Sequence, residues 1–73
     1  MDNEELITEL DFELNEINNS ANDDITKYGV ITAKIGFYYG WSGALGWEET
    51  DKSEQFTKKW GKVTQQLLEN IYS

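Results

Sequence analysis

Carboxylates dominate the chemistry this chain can offer. It carries fourteen Asp and Glu against six Lys, with no Arg, and has a formal charge of −8. His and Cys are absent. That removes the usual general base near neutral pH and the commonest metal ligand, along with any thiolate nucleophile. No Ser or Thr can have the His partner that would activate it. Paired carboxylates can cleave glycosidic bonds only when held across a pocket, and a chain of 73 residues leaves little room for one. Asn22, Asp23 and Asp24 lack the order and trailing Glu of a calcium loop, and the glycines of residues 40–46 lack the Lys and flanking strand of a phosphate loop. Neither catalysis nor a metal or cofactor is expected.

The acids are concentrated at one end. Residues 1–24 hold nine of them (Asp2, Glu4, Glu5, Glu9, Asp11, Glu13, Glu16, Asp23 and Asp24) and no Lys. Residues 25–47 carry only Lys27 and Lys34, and residues 48–73 are nearly balanced. On a helical wheel of about 100° per residue, Glu5, Glu9, Phe12 and Glu16 fall in a narrow wedge, flanked by Asp2 and Glu13. An apolar anchor within a polar rim is the pattern of a binding hot spot. The competing explanation is a solvated helix face with one stray Phe, since single exposed apolar residues are common. Phe12 packing on its own second helix or on a second copy is a third.

Such a face suits a basic partner. Carboxylates three or four residues apart on a helix sit about 5–6 Å from one another, a spacing near that of phosphates along a nucleic-acid strand. A rigid acidic surface can therefore occupy a Lys/Arg-lined groove with the same electrostatic steering. In size and charge alone, the chain resembles small acidic proteins with which phages and mobile elements block host DNA-binding proteins and nucleases. Its acidity disfavours direct binding to nucleic acid or anionic membranes. The blander explanation is acidity for solubility only.

Three elements must position these residues. Leu6, Ile7, Leu10, Leu14 and Ile17 recur at helical spacing and predict a helix from about Asn3 to Asn18, capped by Asp2. A polar turn follows. Residues 23–40 fit a helix with Ile25, Tyr28, Ile31, Ile35, Tyr38 and Tyr39 on one side. Gly29, Ala33, Gly36 and Gly40 form a small-residue ridge on another side, and Val30, Phe37 and Trp41 share a third. Such a helix should be buried and central, its ridge admitting a second helix closely. A strand or hairpin over residues 28–41 is the alternative, because β-branched and aromatic residues abound there. Residues 41–50 read as a Gly-rich connection packed on the domain. Phe56, Trp60, Val63, Leu67, Leu68 and Ile71 predict a last helix from about Lys52 to Ile71. A capping box of Asp51 and Glu54 would open it, and Gly61 would mark close packing.

The expectation is thus an all-α, compact three-helix domain spanning residues 1–73, with α+β as the alternative. A domain this small buries only about 60% of its unfolded surface, so dimerisation is an open possibility. Phe37, Tyr38, Trp41 and Trp47 are the candidate residues for a dimer or second interface. Lys58, Lys59 and Lys62 read as a solvated face or as a match for another copy's acidic helix. Tyr28–Trp47 is too polar to span a membrane, and the acidic opening residues do not resemble a secretory signal. That fits the cytoplasm (of a host cell, for a phage protein).

The expected function is inhibition or modulation of a DNA- or RNA-binding protein by an acidic mimic. The partner-binding residues would be Asp2, Glu5, Glu9, Phe12, Glu13 and Glu16. One rival is a bacteriocin-type immunity or antitoxin protein with a single cognate toxin. Another is an assembly module that uses the aromatic surface.

Overall fold

A computed structural model describes residues 2–73, in which three helices follow one another: α1 (Asn3–Asn18), α2 (Asp24–Leu45) and α3 (Asp51–Tyr72). No strand occurs among the described residues. The helical periodicity of residues 24–45 thus prevails over their β-branched and aromatic content. Short five-residue links (19–23 and 46–50) turn the chain back on itself, as antiparallel helix neighbours require. The molecule is elongated along the helices, about 38 × 19 × 18 Å.

Each helix starts at a side chain that satisfies backbone donors. The Asp2 carboxylate accepts the Glu5 N–H at 2.8 Å, and Asp23 accepts the Thr26 N–H at 2.8 Å. That second bond, with a further one from the Thr26 hydroxyl, holds the Asp23 carboxyl below its ordinary pKa. The third cap is Thr50 rather than Asp51. Thr50 is extended, its hydroxyl accepts the Ser53 N–H at 3.2 Å, and the Ser53 hydroxyl accepts the Thr50 N–H at 2.8 Å. This reciprocal pair displaces the expected Asp51–Glu54 box by one residue, and Glu54 instead pairs with Lys58 at 3.2 Å.

The second helix runs more than a turn past Gly40. Its stop is Gly46, the one residue with positive φ (68°) among those described. The Gly46 N–H donates to the Gly43 carbonyl and the Trp47 N–H to the Ser42 carbonyl, the two bonds of a Schellman ending. Residues 41–45, expected as connection, are therefore helix. Glycine density suggested a loop there, but only Gly46 needs the left-handed conformation.

The core lies between the three apolar stripes. Ile7, Leu10 and Leu14 of α1 meet Ile31 and Tyr38 of α2 and Phe56, Trp60 and Leu67 of α3. Tyr38 and Phe56 pack edge-on with ring centroids 5.6 Å apart, and Phe56 and Trp60 lie 6.5 Å apart. Trp47 and Val63 are half-buried against this cluster. The Tyr38 hydroxyl donates to Asn3 Oδ1 at 2.7 Å. Burial pushes the Tyr38 phenol above its ordinary pKa, against the effect of hydrogen bonds with Asn3 and Ser42.

One polar cluster ties α1 to α3. The Trp60 indole N–H donates to Asp11 Oδ1 at 2.9 Å, and Lys59 Nζ reaches the same oxygen at 3.0 Å. Lys59 also lies 5.0 Å from the Trp60 ring centroid, within cation–π range. Asn15 donates to the other Asp11 oxygen at 3.3 Å. Lys59, expected to be solvated or to meet another copy, thus meets the acidic helix of its own chain.

α2 is not the fully buried helix expected. Two neighbours cover one side of it, where Ile31 and Tyr38 are buried; Val30, Phe37, Trp41 and the glycine ridge face outward. A Cβ at Gly29, Gly36, Gly40 or Gly61 would meet nothing within 4 Å. Neither the ridge nor Gly61 marks close packing between these helices.

That openness sets a stability test. Gly29→Ala and Gly61→Ala should each raise unfolding stability by about 0.5–1 kcal/mol, the usual penalty of an interior helical Gly. Gly46→Ala should lower it, because Ala resists positive φ. Asp11→Ala should cost about 1–3 kcal/mol by leaving the Trp60 N–H without an acceptor. Asp11→Asn keeps an acceptor and should cost less than about 1 kcal/mol, the usual worth of an exposed ion pair. Urea denaturation followed by Trp fluorescence measures all five. Equal losses for the two Asp11 variants would show that charge, and not the Trp60 hydrogen bond, carries the link.

Candidate functional site

The contacts of α1 divide its surface into sides. One side is core. On the edge facing α3, Asp11 holds Lys59 and Trp60, and the Thr8 hydroxyl accepts from Lys52. On the edge facing α2, Glu13 pairs with Lys34, and Asn3 accepts from Tyr38. What remains is the outward side, with Glu5, Glu9, Phe12 and Glu16 all exposed.

These four residues are the wedge expected from sequence, and the fold keeps them together on one face. Among the described residues, no Lys lies within ion-pairing distance of Glu5, Glu9 or Glu16. Phe12 is 65% exposed, so it does not pack on its own second helix. Its ring sits opposite the core stripe, where burial by another molecule would be favourable. The two flanking residues have other work within the fold. Asp2 is the N-terminal cap and Glu13 is the partner of Lys34. Both still add negative charge to the edge of the face.

Chemically, the arrangement is a convex acidic ridge with an apolar centre. Toward its N-terminal end, Asp2, Glu4, Glu5 and Glu9 rim a shallow depression with Thr8 and Lys52. It presents charge to a surface and does not enclose a substrate. Lys52 stands at one edge of this depression, so the acidic surface free of lysine lies toward Phe12 and Glu16 among the described residues.

The second expected surface separates into parts. Phe37 and Trp41 are exposed on α2, whereas Tyr38 is core and Trp47, in the α2–α3 link, is half-buried against the core. Tyr38 is therefore withdrawn from any interface: it faces Phe56, one residue around the helix from Phe37. The exposed pair flanks a groove floored by Ala33, Gly36, Gly40 and Ala44. Leu45 extends this apolar face and was missed from sequence because residues 41–45 read as a connection. Continuing the wheel through Leu45 would have found it.

No described helix is long and apolar enough to cross a membrane. Comparison with protein-family models, curated proteins and solved structures finds no match to this chain.

Proposed function

We propose that this protein is an acidic binding module whose α1 face occupies the nucleic-acid-binding surface of a basic protein, inhibiting or modulating it, in the manner of the DNA mimics encoded by phages and mobile elements. The observation that carries the reading is a face on which Glu5, Glu9 and Glu16 surround an exposed Phe12, with no Lys in ion-pairing distance of the three among the described residues.

Magnitudes favour this over acidity for solubility alone. Glu5 and Glu9 are a like-charged i, i+4 pair, which weakens a helix by about 0.2–0.5 kcal/mol. Solubility is served equally by acids spread over the surface, without that cost. Nor does it call for a large exposed aromatic in their midst. A binding face does: the ring supplies affinity on burial and the carboxylates supply orientation and speed of encounter.

The charge density limits the kind of mimicry. At about 1.5 Å rise per residue, Glu5, Glu9 and Glu16 are spaced about 6 and 10 Å along the axis. A DNA strand carries one charge per about 3.4 Å. The face is sparser than a strand, so it matches a few discrete Lys or Arg contact points and not a continuous phosphate track. Phe12 would supply the affinity that the missing charges do not.

The test is affinity capture from a bacterial lysate with the tagged protein, eluted in rising salt and challenged with duplex DNA. The expected result is a DNA- or RNA-binding protein that leaves at moderate salt and is displaced by nucleic acid. Phe12→Ala should weaken that complex by about 1–2 kcal/mol, mainly through faster dissociation. A partner that stays through high salt and ignores nucleic acid would contradict the proposal. Recovery of a single toxin instead would establish the immunity or antitoxin alternative.

A further inference from the structure

We infer that the outward face of α2 is a self-association surface, through which two copies of this chain form a weak two-fold dimer. The inference concerns a different helix from the acidic face and stands independently of the reading of α1.

The face carries its own complement. Ala33, Gly36, Gly40 and Ala44 form a groove with no side chain beyond a methyl group, and Phe37 and Trp41 rise along one edge of it. The groove is open, since a Cβ at Gly36 or Gly40 would meet nothing within 4 Å. Ridge and knobs lie on one patch, which is what an isologous two-fold contact requires: the knobs of one copy enter the groove of the other, and the reverse. The groove runs along α2 from Ala33 to Ala44 and is centred between Gly36 and Gly40, so antiparallel α2 helices crossing there would overlap along both grooves. Small residues there allow the backbones to approach closely.

Charge argues for a second copy over another occupant. Each copy carries −8, so most approaches of two copies bring carboxylates together. Between Ile35 and Trp47 the chain has no charged residue at all. An equally acidic molecule can dock there without opposing a carboxylate of that stretch, and the charge beside Phe37 and Trp41 is Lys34, already paired with Glu13. A basic partner would find nothing there to pair with.

The area fits a weak dimer. Phe37 is 72%, Trp41 58%, Leu45 52% and Val30 37% exposed. Given about 150–250 Å² for an aromatic side chain, and counting the groove floor, the patch offers about 500–600 Å² per copy, at the lower limit for a specific interface. The dissociation constant should accordingly lie in the micromolar range.

Sedimentation equilibrium of the full chain, over a range of protein concentrations at low and high salt, tests the proposal. The expected result is a monomer–dimer equilibrium that tightens as salt rises, because salt screens the repulsion between two acidic bodies. Gly40→Glu, which places a carboxylate in the groove, and Phe37→Ala should each weaken the dimer at least tenfold. Both should leave the monomer's helical circular dichroism unchanged, since both positions face solvent. Glu5→Gln with Glu9→Gln and Glu16→Gln should leave the dimer intact or tighten it, so the two surfaces can fail separately. A chain that stays monomeric at every concentration and salt would overturn the proposal. So would a dimer indifferent to Gly40→Glu and Phe37→Ala, or a monomer that instead uses this face to bind uncharged lipid vesicles.

Discussion

The indole N–H of Trp60 has to find an acceptor inside the protein, and Asp11 supplies it. Trp60 is 1% exposed and heads the fully buried side chains by volume. A donor left unpaired at such a site would cost about 1–3 kcal/mol, a large share of the stability of so small a domain. The bond also matches the rotation of α1 that burial of Ile7, Leu10 and Leu14 imposes. With Asp11 turned toward α3, the next residue, Phe12, is carried about 100° around the helix and away from the core. Glu5, Glu9 and Glu16 go with it. The buried stripe of Ile7, Leu10 and Leu14 and the hydrogen bond to Trp60 thus agree on which face of the acidic helix meets solvent.

The lysines reinforce that arrangement. Lys59 joins Asp11 on one edge of α1 and Lys34 joins Glu13 on the other, while Lys58 stays within α3 at Glu54. The edges of the acidic helix are thus knitted to its neighbours, and its outer face is left with charge that no Lys among the described residues pairs. Each exposed pair is worth little in stability, at most about 1 kcal/mol. Their effect is to partition charge into a neutralised seam and an uncompensated face. α2 shows the opposite chemistry, with an outer face that is apolar and free of charge. A three-helix bundle of this size leaves one side of every helix uncovered, and here two of those sides have distinct character.

Much of this was legible in the sequence wherever one periodicity dominated. The stripes Leu6–Ile17 and Phe56–Ile71 placed α1 and α3 to within a residue or so, and the Glu5–Glu9–Phe12–Glu16 wedge survived intact because helix geometry alone creates it. Residues 41–45 were misread because glycine is common to loops and to thin helix faces. Only the left-handed backbone at Gly46 separates the two, and composition does not reveal it. The Thr50 cap was missed because Asp51 and Thr50 are both good caps, and the choice rests on the Ser53 hydroxyl. Tyr38 and Phe37 are neighbours in sequence with opposite fates. Only the packing of Phe56 shows that Tyr38 belongs to the core. Asp11 could not be distinguished from its acidic neighbours until its partners on α3 were visible.

The central claim is that the position of the negative charge on α1 matters, and not its amount. The direct measurement compares two triply neutralised variants of equal net charge for binding to the captured partner. One carries Glu5→Gln, Glu9→Gln and Glu16→Gln. The other carries Glu48→Gln, Glu49→Gln and Glu69→Gln, all exposed and off the α1 face. The account predicts that the first variant binds at least about tenfold more weakly, chiefly through slower association, and that the second binds nearly as the parent does. Equal losses, or none in either, would mean that α1 is acidic without being a binding site.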